Sequence, residues 1–232
     1  TEEVLALGHD WSDWDIYLEP TCTTKGSKRR KCSRCSVYNT VAIEATGHDW
    51  DTDVIVVKPT YTEQGYTLHT CNYCGETYKD NYTDPLLTFR LRSVNSYSVR
   101  ATNQDISGEI EIPSTYNGLP VTHIEDAAFW YCANIEGVTI PDSVQSIGNN
   151  AFSYCDKLAY VNVGENSELD SIGSQAFMEC YMLTDITNLL ANVTGIHNET
   201  FQNCSKLPNV TFNPDLDEIG DRAFDDCDNI TS

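Results

Sequence analysis

The chain has 232 residues, with 14 Lys and Arg against 35 Asp and Glu, and a formal net charge of −21. That acidity excludes a protein built chiefly to bind nucleic acid or an anionic membrane surface. Hydrophobic residues at 40% are enough to bury a core, and no run of about 18 apolar residues is present to span a membrane. The start, Thr1-Glu2-Glu3, lacks the basic and then apolar pattern of a signal peptide. Either the protein is not exported or this is a piece whose leader lies upstream, and the repeats favour the piece.

Self-comparison finds two unrelated repeats. In the first, Gly8-His9-Asp10-Trp11 recurs as Gly47-His48-Asp49-Trp50, a 39-residue offset that also carries Pro20-Thr21 onto Pro59-Thr60 and Cys32/Cys35 onto Cys71/Cys74. The copies span residues 1–46 and 47–84. His9, Cys22, Cys32 and Cys35 offer one imidazole and three thiolates, with Cys32-Ser33-Arg34-Cys35 as a knuckle suited to tetrahedral zinc. A structural zinc would order a segment too small to fold on its own core. In the second copy Tyr61 stands at the Cys22 position, so His48, Cys71 and Cys74 form a set that His69 would complete. Redox chemistry at Cys-x-x-Cys needs a thioredoxin-like βαβ context, which the flanking sequence lacks. Trp11, Trp14 and Trp50 supply each copy's small core, with carbohydrate stacking as the functional alternative. Lys28-Arg29-Arg30-Lys31 with Arg34 reads as a solvated hairpin tip, or else as a dock for an acidic partner.

Residues 85–120 alternate at period two through Leu87-Thr88-Phe89-Arg90-Leu91, Tyr97-Ser98-Val99-Arg100 and Glu109-Ile110-Glu111-Ile112, which predicts strands capping whatever follows. From residue 121 a second repeat runs Ile, five on to Phe, three on to Cys, three on to Leu or Ile. Its five copies begin at Ile124, Ile147, Ile172, Ile196 and Ile219. Alternating apolar pairs follow it, Val138/Ile140, Val161/Val163 and Val210/Phe212, and predict a short strand per copy. One copy cannot bury its own apolar face, so the copies stack as a solenoid. Each is expected to carry its Ala-Phe-x-x-Cys segment on one helical or 3₁₀ turn. The pattern stops after Ile230 without a polar cap, which suggests that more copies followed.

Ala127-Ala128-Phe129-Trp130-Tyr131-Cys132, Ile147 through Cys155 and Val138-Thr139-Ile140-Pro141-Asp142-Ser143-Val144 resemble BspA-type leucine-rich repeats of bacterial surface proteins. The Gly-His-x-Trp and Cys-x-x-Cys copies resemble a short repeat of surface proteins from gut Firmicutes. The expected fold class is therefore an α/β repeat: a leucine-rich-repeat solenoid over 121–232 with a β-rich cap over 85–120, preceded by two small β-rich, zinc-ribbon-like repeats. The resemblance places the chain outside the cell, where disulfides or free thiols are the alternatives to zinc at the short repeats.

Cys132, Cys155, Cys180, Cys204 and Cys227 hold one repeat position and read as a column of buried free thiols, because stacked parallel coils give poor disulfide geometry. Outward positions of the strand segments, among them Tyr160, Asn162, Asp185 and Asn209, form a polar lattice of the kind repeat proteins bind through. Trp130, Tyr131 and Tyr154 are aromatic anchors, or else they pack against the cap. No Gly-x-Ser-x-Gly, His-Glu-x-x-His, phosphate-binding loop or paired carboxylates appear, so catalysis is not expected. What the resemblance implies is a monomeric, extracellular, adhesin-like surface protein. Its partner would be a host or microbial protein or glycoprotein: matrix, plasma protein, immunoglobulin or mucin. A spacer presenting another domain is the alternative.

Overall fold

The structure, a computed structural model, describes residues 8–186, 188–208 and 210–230, and the chain divides into two compact units. The first takes the chain up to Lys58 together with Gly65–Thr83; the second takes Pro59–Gln64 and the chain from Asp84 on.

The first unit is two antiparallel three-stranded sheets. One is β1 (Asp15–Leu18), β2 (Gly26–Lys31) and β3 (Tyr38–Ile43); the other is β4 (Ile55–Val57), β5 (Gly65–Thr70) and β6 (Thr77–Thr83). β2 and β5 are central. Gly26 must lack a side chain, since a Cβ there would strike Leu18 O and Pro20. Among the described residues, the only hydrophobic side chains buried in this unit are Cys22, Cys32 and Cys71. Cations cover the aromatic rings in place of an apolar core. The Arg30 guanidinium lies 5.0 and 4.7 Å from the Trp11 and Trp14 rings, and that of Arg29 lies 4.2 and 5.0 Å from Tyr17 and Tyr38. The basic run Lys28–Lys31 is therefore a central strand, not a hairpin tip.

The second unit opens with the hairpin β7 (Leu87–Ser93) and β8 (Ser96–Ala101), followed by β9 (Ser107–Glu111), β10 (Thr115–Tyr116) and β11 (Leu119–Ile124). β8 pairs in parallel with β11. From β11 a narrow parallel sheet continues through β13 (Ser146–Ile147), β15 (Ser171–Ile172), β16 (Gly195–Ile196) and β17 (Glu218–Ile219). A second sheet runs β9, β12 (Asn134–Ile140), β14 (Tyr160–Val163), all parallel. The expected cap strands thus begin both sheets of the solenoid. Between the sheets Phe129, Phe152, Phe177, Phe201 and Phe224 stack nearly parallel, with centroids 4.9, 5.3, 5.4 and 5.2 Å apart.

The expected helical or 3₁₀ turn is not there, and the unit has no helix among its described residues. The Ala-Phe-x-x-Cys segment instead follows one left-handed residue, Ala127 in the first coil and Asn150 in the second, and contains another just before its cysteine, Tyr131 and Tyr154. Its alternate amides point to the next coil: those of Ala127, Phe129 and Tyr131 donate to the carbonyls of Asn149, Ala151 and Ser153, and the following coils repeat the pattern. Donors committed between coils cannot close helical bonds within one. The predicted outer strands also end early, after β14, leaving an isolated bridge from Tyr160 to Asp185. Ala159 and Thr184 each donate an amide to the preceding coil, whereas Pro208, at the same position of the next, has none to give.

Candidate metal centre and interaction surface

In each short repeat the Gly-His-Asp-Trp segment is bound to the Cys-x-x-Cys knuckle by the backbone. Trp11 bridges to Cys32 and Trp50 to Cys71, while Ser33 N donates to Asp10 O and Asn72 N to Asp49 O. The knuckle closes on Ser36 N to Cys32 O and Gly75 N to Cys71 O, with Ser36 and Gly75 both left-handed. This pairing sets the histidine beside the sulfurs: Cys35 Sγ lies 3.3 Å from His9 Nδ1 and Cys74 Sγ 3.4 Å from His48 Nδ1.

Cys22 is not with the first set. Thr46 N donates to Thr21 O and Gly47 N to Cys22 O, which pins the Pro20-Thr21-Cys22 turn against the start of the second repeat. Cys22, His48, Cys71 and Cys74 consequently form one cluster whose ligand atoms all lie within 4.8 Å of one another, while His9, Cys32 and Cys35 form a three-residue cluster. His69 belongs to neither. It stands on central β5 at the register of Arg30 in β2, stacks on Tyr78 at 4.4 Å and bonds Asp80 Oδ1 at 3.0 Å. The sequence offset counts Cys22 within the first copy, but the fold delivers it to the second.

Burial raises the Cys71 thiol, but amides of Cys74 and Tyr73 and the His48 ring outweigh it and lower it to about 6. At Cys32 burial is likewise outweighed, by His9 and the amides of Arg34, Asp10 and Cys35, and the thiol falls to about 6. Burial, with hydrogen bonds from Cys74 and Cys71, lifts Cys22 to about 11.

In the solenoid unit the predicted anchors form a continuous ladder. Trp130 meets Tyr131 edge-on at 4.5 Å, and Tyr131 stacks on Tyr154 at 4.4 Å. Trp130 and Tyr131 remain 43% and 45% exposed, although Trp130 also borders the cap, where Gln104 Nε2 donates to its carbonyl at 3.1 Å. Down the same column stand Glu179, Asn203 and Asp226, also left-handed. Tyr160 faces less outward than expected: its ring lies across Gly137, where a Cβ would collide with it, and its hydroxyl meets the Glu109 side chain. Asn162 and Asp185 are exposed as predicted, and Asn209 falls outside the described residues.

One surface escaped the sequence reading. A polar groove over the narrow sheet, of ≈ 640 Å³, is lined by Arg90, Arg92, Arg100 and His197 together with the carboxylates Glu125 and Asp126, and Arg90 lies 3.8 Å from Glu125. Three guanidiniums are thus gathered in the more acidic part of the chain. The signal was the alternation Phe89-Arg90-Leu91-Arg92, which sets both arginines on one strand face.

A family described as the BspA type Leucine rich repeat region matches residues 122–232 in six copies. Among solved structures, the chain is similar to a leucine rich repeat protein of T. pallidum, with 28% identity, TM-score 0.57, and 63% of this chain and 67% of that one covered. It is also similar to a leucine rich cell surface protein of Faecalibacterium prausnitzii, with 36% identity, TM-score 0.57 and 64% of this chain covered; the chain spans 41% of that protein's length. No curated protein matches the chain.

Proposed function

From the match of residues 122–232 to the BspA type leucine-rich repeat region, we propose that the chain is a non-enzymatic interaction module of a bacterial surface protein, whose solenoid edge holds an extracellular protein or glycoprotein. The observation that carries this is the ladder Trp130, Tyr131 and Tyr154. Bulky residues are disfavoured at positive φ, yet Tyr131 and Tyr154 stand there at 57° and 62°. Glu179, Asn203 and Asp226 show that the position does not require a ring. Two aromatics held in a costly conformation, Tyr131 exposed and Tyr154 half-buried beneath it, suit an anchor for a partner. No helix among the described residues is long and apolar enough to cross a membrane.

A spacer role for the short repeats rests on another observation. Thr21-Cys22 pairs by its backbone with the start of the second short repeat, and Thr60-Tyr61 uses the same pairing inside the second unit, through Leu86 N to Thr60 O and Leu87 N to Tyr61 O.

The test is binding of the full chain to immobilised plasma proteins, matrix proteins, immunoglobulin and mucin. Saturable binding to at least one is expected, and Trp130→Ala with Tyr131→Ala should weaken it by about 2 kcal/mol or more while far-UV circular dichroism and melting temperature hold. Absence of saturable binding across the panel would leave the spacer reading.

A further inference from the structure

We propose that Cys22, His48, Cys71 and Cys74 hold one tetrahedral zinc ion across the boundary between the two short repeats, so that the metal staples one repeat to the next.

The geometry fits the ion. With Zn–S near 2.3 Å and Zn–N near 2.0–2.1 Å, tetrahedral angles put two sulfurs about 3.8 Å apart and a sulfur and a nitrogen about 3.5 Å apart. Cys22 Sγ and Cys71 Sγ are 3.8 Å apart, and Cys74 Sγ and His48 Nδ1 3.4 Å. His48 presents Nδ1 to the sulfurs while its Nε2 lies 3.5 Å from Glu76 Oε2, the outer carboxylate that fixes a ligating imidazole. Three sulfurs and one imidazole have no complete disulfide pairing. Three thiolates and one neutral ring are a set zinc satisfies.

The position of Cys22 gives the staple a direction. The Pro-Thr-Cys turn of the first repeat closes the site of the second. At the corresponding turn of the second repeat Tyr61 replaces the cysteine, and its hydroxyl donates to Glu109 O at 3.0 Å and accepts from Glu111 N at 3.1 Å, sealing the edge of β9. One turn ends in a metal ligand and is followed by another metal site. The other ends in a phenol and is followed by a sheet edge. His9, Cys32 and Cys35 form a three-residue set that no further Cys, His, Asp or Glu joins among the described residues.

The test is cysteine footprinting of the full reduced chain with iodoacetamide, read by mass spectrometry, after addition of about half an equivalent of zinc per chain so that the tighter site fills first. Compared with the zinc-free chain, zinc should lower the labelling of Cys22, Cys71 and Cys74 together and leave that of Cys32 and Cys35 unchanged. His48→Asn should expose all three, and His9→Asn should leave them protected. Glu76→Gln should weaken zinc about tenfold without changing which cysteines are protected. Protection of Cys22 together with Cys32 and Cys35, or labelling of all five in excess zinc, would overturn the staple. The wild-type pattern decides the matter even where a variant fails to fold.

Discussion

Gly137 governs a patch of the solenoid surface by having no side chain. The Tyr160 ring from the neighbouring strand lies in the space a Cβ would take, and reaches on to Glu109. Gly137→Ala should therefore force the ring off its seat and cost about 1–3 kcal/mol in denaturant unfolding, with most of the loss absent in a Tyr160→Ala background. Additive losses would show that the two residues do not share that space. Period-two alternation made Tyr160 legible as an outward residue, but not as one lying flat over a glycine, because alternation gives a face and not a rotamer. His69 shows the same limit. Its residue type suits a metal, but its register belongs to the ring-stacking strand, and only the pairing of β5 with β6 reveals this.

At the scale of the coil, the repeat position of cysteine has a reason beyond size. The Cys155, Cys180, Cys204 and Cys227 thiols donate to the carbonyls of Phe129, Phe152, Phe177 and Phe201 in the preceding coil, at 3.2, 3.2, 3.1 and 3.0 Å. Burial raises all five thiols of the column, Cys132 and Cys227 to about 11 and the three between them further. A thiol held protonated in the fold but not in the unfolded chain contributes stability that is complete below the unfolded value. That contribution is lost as pH rises towards the folded value. The solenoid's melting temperature should fall steadily above about pH 9, with each of Cys155, Cys180 and Cys204 adding a slope of about 1.4 kcal/mol per pH unit. A melting temperature flat from pH 9 to 11 would contradict the column. The repeat, its apolar positions and its cysteine column were legible in the sequence, although the spacing gave five copies where the family match counts six. The turn geometry was not, since Ala-Phe-x-x-Cys has helical spacing and only the bonds to the next coil exclude the helix. The early end of the outer strands had a readable cause in Pro208.

The whole chain combines two kinds of cohesion. The solenoid unit owns the buried apolar cluster, which runs from Leu87 to Cys227. Among the described residues of the short-repeat unit the buried hydrophobic ones are three cysteines, and large side chains such as Ile16, Tyr17, Ile55 and Val56 are exposed on its strands. A unit this poor in apolar burial lacks the usual driving force for folding, whereas one structural zinc supplies about 10–16 kcal/mol in small peptides. The paired Gly-His-Asp-Trp and Cys-x-x-Cys segments were readable from the 39-residue offset; the crossing of Cys22 into the next repeat was not, because an offset aligns copies without saying which copies touch. The measurement that bears most directly on this division is differential scanning calorimetry of the full zinc-loaded chain before and after chelation, with Phe177→Leu marking the solenoid's transition. Two transitions are expected, and chelation should abolish or sharply lower the one that Phe177→Leu leaves in place. If chelation moved neither transition, metal would not be what holds the short repeats together.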